Sequence, residues 1–92
     1  MSHILIQRPH RLGSQEAMRR FSEVEINIKQ HYGLHVEWDG TDGVFHGHGI
    51  TGQVRVTEDH ITIDMRLGFM LWPFTHRIRE AIEHQMDQGL EL

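Results

Sequence analysis

Three histidines and a glutamate are spaced so that they can share one face of a β-sheet. His46 and His48 are two residues apart in one extended segment, and His35 and Glu37 are two apart in the preceding one. Because side chains alternate between the faces of a strand, each pair points to one side. Two or three imidazoles with a carboxylate can hold zinc. A half-exposed polar sheet surface explains the same residues, so we predict no metal site and no cofactor.

A second chemical pattern, GxGxxG, occupies residues 47–52. In dinucleotide-binding proteins this motif lies between a strand and a helix whose N-terminus holds the pyrophosphate. Here residues 53–56 read as a continuing strand, which excludes that site. The protein-kinase version tolerates two strands but needs a downstream lysine, whereas the single lysine, Lys29, lies upstream. We therefore interpret the glycines as structural, relieving a β-bulge or allowing a helix to approach the sheet closely.

The nucleophiles and acids form no convincing catalytic constellation. Ser14 is explained as a helix cap, and Ser22 falls on the polar side of the same helix. Asp39, Asp42 and Asp59 lie in turns, where aspartate side chains bond to the backbone. We expect a protein that is not an enzyme.

The composition limits the class of protein. The 92 residues are expected to make one domain, residues 1–92. The absence of cysteine excludes disulfide frameworks, thiolate nucleophiles and cysteine-ligated metal sites. Nine Lys and Arg residues and a net charge of −4 argue against nucleic-acid binding. With no apolar run of about 18 residues and no secretory leader, we expect a cytoplasmic protein without a transmembrane segment.

Hydrophobic periodicity predicts two helices. In the first, over residues 15–32, we expect Ser14 as the N-cap and Gly33 as a left-handed end. The second runs from Pro73 to about residue 88. Each helix has an apolar stripe, namely Ala17, Phe21, Val24 and Ile28 in the first and Phe74, Ile78, Ile82 and Met86 in the second.

The remaining segments alternate with period two and predict five strands. The first lies at residues 3–8, and four more lie between the helices, with a hairpin turn at residues 39–43 and a break at residues 49–52. The order is β-α-β-β-β-β-α. We therefore expect an α+β fold, a two-layer sandwich in which an antiparallel sheet carries both helices on one face.

Residues 68–74 form an uncharged, strongly apolar connection to the second helix. We expect Phe69, Leu71 and Phe74 to close the end of the core. Met70 and Trp72, with Leu71 and Phe69 beside them, are the candidate contact site for a second subunit or a lipid-like surface. A homodimer is slightly favoured, because self-association is the commonest fate of such patches.

The whole chain resembles the polyhydroxyalkanoic acid system proteins, also called polyhydroxyalkanoate granule-region proteins. The resemblance depends on the order of short motifs: Arg8-Pro9-His10, Leu12-Gly13, Tyr32-Gly33-Leu34, Phe45, Gly49-Ile50-Thr51-Gly52, Leu67-Gly68-Phe69 and Pro73-Phe74. It implies a bacterial protein associated with storage-polyester synthesis and supplies no catalytic residues. The element order is also faintly similar to a shortened helix-grip fold.

The resemblance and the apolar connection together give the leading hypothesis. The protein would be a non-enzymatic accessory protein of polyhydroxyalkanoate storage, acting at the granule surface or on granule-bound proteins. The alternative is a small domain that binds an acyl or hydroxyacyl ligand between the sheet and the last helix. That alternative predicts a pocket lined by Trp38, Ile63, Met65, Ile78 and Ile82.

Overall fold

A computed structural model describes residues 2–90 of the protein. The elements are β1 (Ser2–Pro9), α1 (Gly13–Tyr32), β2 (His35–Asp39), β3 (Asp42–Gly47), β4 (Ile50–Val56), β5 (His60–Leu67), a 3-10 helix (Phe69–Phe74) and α2 (Thr75–Gly89). The strands form one antiparallel sheet in the order β1-β5-β4-β3-β2. The predicted α+β class and element order are confirmed.

The core lies between one face of the sheet and the two helices. Alternation is clearest in β5, where Ile61, Ile63, Met65 and Leu67 are buried and the residues between them are not. The predicted stripe of α1 is confirmed, because Ala17, Phe21, Val24 and Ile28 are all buried. From α2, Ile82 and Met86 complete the core. The opposite face of the sheet is exposed and mostly polar, with Leu5 and Val44 as exposed apolar residues on it.

The two ends of α1 differ in how well the sequence predicted them. Gly33 ends the helix in the left-handed conformation, with φ of 67°, and donates its N–H to Lys29 O, as expected. The prediction of Ser14 as N-cap is wrong, because Leu12 occupies the cap position and makes no side-chain cap bond. Ser14 Oγ instead donates to Glu58 Oε1 at 3.0 Å. A carboxylate from the β4–β5 turn thus lies at the positive end of the helix dipole.

The predicted break at residues 49–52 is also wrong. The turn is confined to residues 48–49, and β4 runs without interruption from Ile50 to Val56. Gly52 lies inside that strand on its core-facing side. A Cβ atom there would lie 2.3 Å from Asp64 O, so the glycine permits close approach of the β5 backbone instead of interrupting the strand.

Neither helix is suited to crossing a membrane. Within residues 2–90, no helix combines sufficient length with sufficient apolar character to span a bilayer.

Candidate functional site

The most prominent surface feature is the 3-10 helix Phe69–Phe74, here called the apolar segment. It connects the end of β5 to the start of α2. The turn begins at the extended Gly68, whose carbonyl accepts a 2.9 Å bond from Leu71 N–H. Pro73 is the fifth residue of this short helix and precedes α2, so its missing N–H takes no bond away from α2. The segment therefore adopts a defined turn instead of an irregular loop.

Four large apolar side chains project from this segment into solvent. The exposed fractions are 71% for Phe69, 72% for Met70, 44% for Trp72 and 47% for Phe74. The predicted exposure of Met70 and Trp72 is confirmed. The prediction that Phe69 and Phe74 close the core is wrong, whereas Leu71 does pack against it. Within the segment, Leu71 is the side chain that packs against the core.

Polar bonds hold the apolar segment against the body of the protein. Trp72 Nε1 donates to Leu67 O at 2.9 Å, and Gly68 N–H donates to Gly49 O at 2.7 Å. After the segment, Thr75 Oγ1 donates to Trp72 O at 2.8 Å. Both ends of the segment are therefore fixed, and the Trp72 ring is held by its own hydrogen bond.

The turn between β3 and β4 packs against the apolar segment. Gly49 has φ of 73°, and a Cβ there would lie 3.3 Å from Leu71 Cδ1. The glycine-rich stretch of residues 47–52 thus contributes a hairpin turn, and the lack of a side chain at Gly49 leaves room for Leu71 to pack against that turn. Residues 53–56 continue β4, as predicted, so the stretch 47–52 is followed by a strand and not by the helix N-terminus that a phosphate site needs.

The apolar segment carries no group capable of acid–base or nucleophilic catalysis. Residues 68–74 contain no charged, histidine or hydroxyl side chain, and the Trp72 N–H is already bonded. What the arrangement can do chemically is remove apolar surface from water. The contact role of Met70, Trp72, Leu71 and Phe69 stays a prediction.

The residues proposed for a ligand pocket belong to the packed interior. Ile63, Met65 and Ile82 are buried, while Trp38 and Ile78 are partly buried against them. Trp38 packs edge-to-face on Phe21 with ring centroids 5.8 Å apart, and its Nε1 donates to Glu25 Oε1. Neither of two surface concavities, at Gln53 on the open sheet face and at Pro9 beside α1, is lined by any of the five predicted pocket residues. The ligand-binding alternative stays a prediction.

The histidine pattern is brought together only in part. His35 and His46 are directly opposite in the β2–β3 register, and His46 Nε2 lies 3.8 Å from Glu37 Oε2. His48 lies in the following turn. Across residues 2–90, no group of three or more His, Asp or Glu side chains is arranged to hold a metal ion.

A polar corner that was not predicted from the sequence lies at the other end of the sheet, where the β1–α1 loop meets the β4–β5 turn. His10 is buried there; its Nε2 donates to Thr57 O at 3.1 Å and its Nδ1 accepts from Leu12 N–H at 3.1 Å. Nearby, His60 Nδ1 donates to Asp59 Oδ1 and lowers the pKa of Asp59. Through its two hydrogen bonds, His10 connects the β1–α1 loop to the β4–β5 turn. Two sequence signals lie at this corner, namely Pro9, which ends a strand, and the turn predicted at Asp59.

Two comparisons relate the chain to known proteins, and a third finds no match. The family model of the polyhydroxyalkanoic acid system proteins matches residues 4–90. No curated protein matches the sequence. Among solved structures, the NMR structure of PA4090 from Pseudomonas aeruginosa is similar, with a TM-score of 0.57 and 10% identity, over 99% of this chain and 92% of that one. At that identity the likeness shows the fold alone.

Proposed function

The chain belongs to the family of polyhydroxyalkanoic acid system proteins, and from this we propose that it is an accessory protein of polyester storage that attaches to the granule surface through the apolar segment. It does so without catalysing a reaction. In this proposal the protein is cytoplasmic, and a share of it resides on the granule.

The observation that carries the proposal is the concentration of exposed apolar side chains. Eight large apolar residues are exposed within residues 2–90, and four of them lie in the six-residue apolar segment. Isolated surface apolar residues are ordinary, whereas a contiguous group with no charge marks a contact surface. A polyester presents alkyl groups and ester carbonyls, which suits contact through ring faces and the Met70 thioether.

The size of the segment predicts weak and reversible attachment. Burying a large apolar side chain completely contributes about 1.5–3 kcal/mol, so four partly exposed ones contribute on the order of 5 kcal/mol. Association itself costs at least about 4 kcal/mol in lost translational and rotational freedom. Because the segment is already fixed by its hydrogen bonds, little further ordering is needed on binding. We expect the protein to exchange between granule and solution.

Co-sedimentation with two granule preparations tests the proposal. Purified protein is mixed with protein-free polyhydroxyalkanoate granules and, separately, with granules that keep their native protein coat. Pelleting with the bare granules supports direct attachment to the polyester. Pelleting only with coated granules would replace this proposal with a granule-bound protein partner, and a folded protein that stays in the supernatant with both would reject it.

A further inference from the structure

The two edges of the sheet differ in how their outward backbone groups are satisfied. On β1, Leu5 O accepts a 3.2 Å bond from Arg79 Nη1, and Gln7 O accepts one of 3.2 Å from Arg8 Nη1. Pro9, at the end of the same strand, has no N–H to offer. These features protect β1 from pairing with a strand of another molecule.

The outer edge of β2 has no equivalent protection. Val56 N–H donates to Thr41 O. Because backbone hydrogen bonding alternates along a strand, the N–H and C=O groups of the odd-numbered residues of β3 point toward β4, and those of the even-numbered residues point toward β2. Their partners in β2 are His35, Glu37 and Asp39. The N–H and C=O of Val36 and Trp38 therefore point away from the sheet. Within residues 2–90 these four groups have no hydrogen-bond partner.

We propose that a second copy of the chain pairs with this edge, β2 against β2, in antiparallel order about Glu37. In this register Val36 of one protomer lies opposite Trp38 of the partner subunit, and the reverse pair follows from two-fold symmetry. Each pair exchanges two hydrogen bonds, which satisfies all four outward groups of both protomers. The two sheets become one continuous sheet.

Side-chain complementarity selects both the partner and the register. His35 of one protomer lies opposite Asp39 of the partner subunit, twice over, and opposite-charge or hydrogen-bonding cross-strand pairs are favourable. Within residues 2–90, neither of these side chains has a hydrogen bond or ion pair of its own. If the partner strand shifted by two residues toward the β2–β3 turn, Glu37 of one protomer would lie opposite Asp39 of the partner subunit, and the two carboxylates would repel. The opposite shift would pair Trp38 with Leu34, which lies outside the strand.

One like-charge contact opposes this dimer. Glu37 meets Glu37 of the partner subunit at the two-fold axis, where directly opposed like charges are unfavourable. In the protomer, Glu37 Oε2 lies 3.8 Å from His46 Nε2 on the neighbouring strand, so the carboxylate lies over its own sheet. The edge is also short, at five residues. We therefore expect a weak dimer that tightens when Glu37 is neutralised.

Analytical ultracentrifugation of the full chain from about 5 to about 500 μM tests the proposal, because an interface of this size should associate weakly. Wild type is expected to show a monomer–dimer equilibrium. Val36→Pro removes an outward N–H without touching the β2–β3 bonds and should abolish the dimer. Glu37→Gln should tighten the dimer by roughly threefold.

A charge-swap series tests the register independently of Val36→Pro. His35→Asp and Asp39→Lys should each weaken the dimer, and the double variant should restore it to within roughly twofold of wild type. Circular dichroism confirms that each variant is folded. If Val36→Pro does not fold, the swap series decides alone, and a double variant no tighter than the singles would overturn the proposal.

Two further results would overturn it. One is a wild type that remains monomeric at the highest concentration. The other is a dimer that survives Val36→Pro and the charge changes but dissociates on Met70→Glu, which would assign self-association to the apolar segment. No granule is present in these measurements, so their outcome is separate from that of the proposed function.

Discussion

The indole N–H of Trp72 donates a 2.9 Å hydrogen bond to the carbonyl oxygen of Leu67, five residues earlier in the chain. Leu67 is the last residue of β5, and Trp72 lies in the 3-10 helix that leads to α2. Because the N–H is used inside the protein, the exposed part of Trp72 contributes apolar ring surface. A polar bond thus orients an exposed apolar surface.

Trp72→Phe is predicted to lower the free energy of unfolding by about 1 kcal/mol, because it removes that hydrogen bond and keeps an aromatic ring. Urea denaturation followed by circular dichroism measures the change. The granule-bound fraction should fall only modestly, since a ring remains exposed. An unchanged stability would show that the bond to Leu67 does not hold the ring in place.

Met70→Glu is predicted to reduce the granule-bound fraction at least about tenfold, because binding would then require a carboxylate to leave water at an apolar surface. Met70 is the most exposed residue of the apolar segment. Its replacement should change the free energy of unfolding by less than about 0.5 kcal/mol. Co-sedimentation and urea denaturation are measured on the same preparation.

The matched control for Met70→Glu is Ile26→Glu. Ile26 is an exposed apolar residue on α1, so its replacement introduces the same charge away from the apolar segment. It should bind granules as wild type does. Equal loss of binding in both variants would mean that net charge, not the segment, governs attachment.

Gly52→Ala is predicted to destabilise the fold by about 2–3 kcal/mol, because a Cβ would lie 2.3 Å from Asp64 O and 2.9 Å from Met65 Cα. Both contacts are with backbone, which cannot move without disturbing the β4–β5 pairing. Gly68→Ala is the control, since its nearest atom is 3.5 Å away. Thermal unfolding should separate the two variants clearly, and similar melting temperatures would contradict the packing argument.

The sequence predicted those features that depend on local periodicity. Steps of three and four residues located the buried face of α1 from Ala17 to Ile28, and strict alternation located β5. Gly33 was identified as the end of α1 because the left-handed conformation has a strong residue preference. Such signals involve neighbours along the chain, so no knowledge of the tertiary fold is needed.

The wrong predictions concern contacts between residues far apart in sequence. Serine is a favoured N-cap residue, but the hydroxyl of Ser14 donates its hydrogen bond to the carboxylate of Glu58, 44 residues away, instead of capping the helix. Gly52 reads locally as a break, and only the β5 backbone beside it explains the glycine. For the candidate site, the apolar run was evident, whereas its 3-10 turn, and hence which side chain faces the core, depends on packing against Gly49.

A pH dependence follows from Glu16, whose pKa is lowered from 4.5 to about 2 by hydrogen bonds from Arg19 and Arg20. A carboxylate with a lowered folded-state pKa adds stability above its unfolded pKa and loses it as the pH falls toward the folded value. Glu16→Gln should therefore be less stable than wild type at pH 7, and the difference should shrink between about pH 4.5 and about pH 2. Melting temperatures across that range test this, and a constant difference would contradict it.

His10→Ala is predicted to lower the free energy of unfolding by about 2–4 kcal/mol, because Leu12 N–H and Thr57 O would both lose their partner at a buried position. Urea denaturation measures the loss. His10→Phe separates the hydrogen bonds from the volume they occupy, since the phenyl ring fills similar space and makes neither bond. We expect it to be nearly as unstable as the alanine variant, with the exposed His76→Ala close to wild type. If the phenyl ring instead restores stability, the corner between β1 and α1 depends on packing and not on the imidazole's two hydrogen bonds.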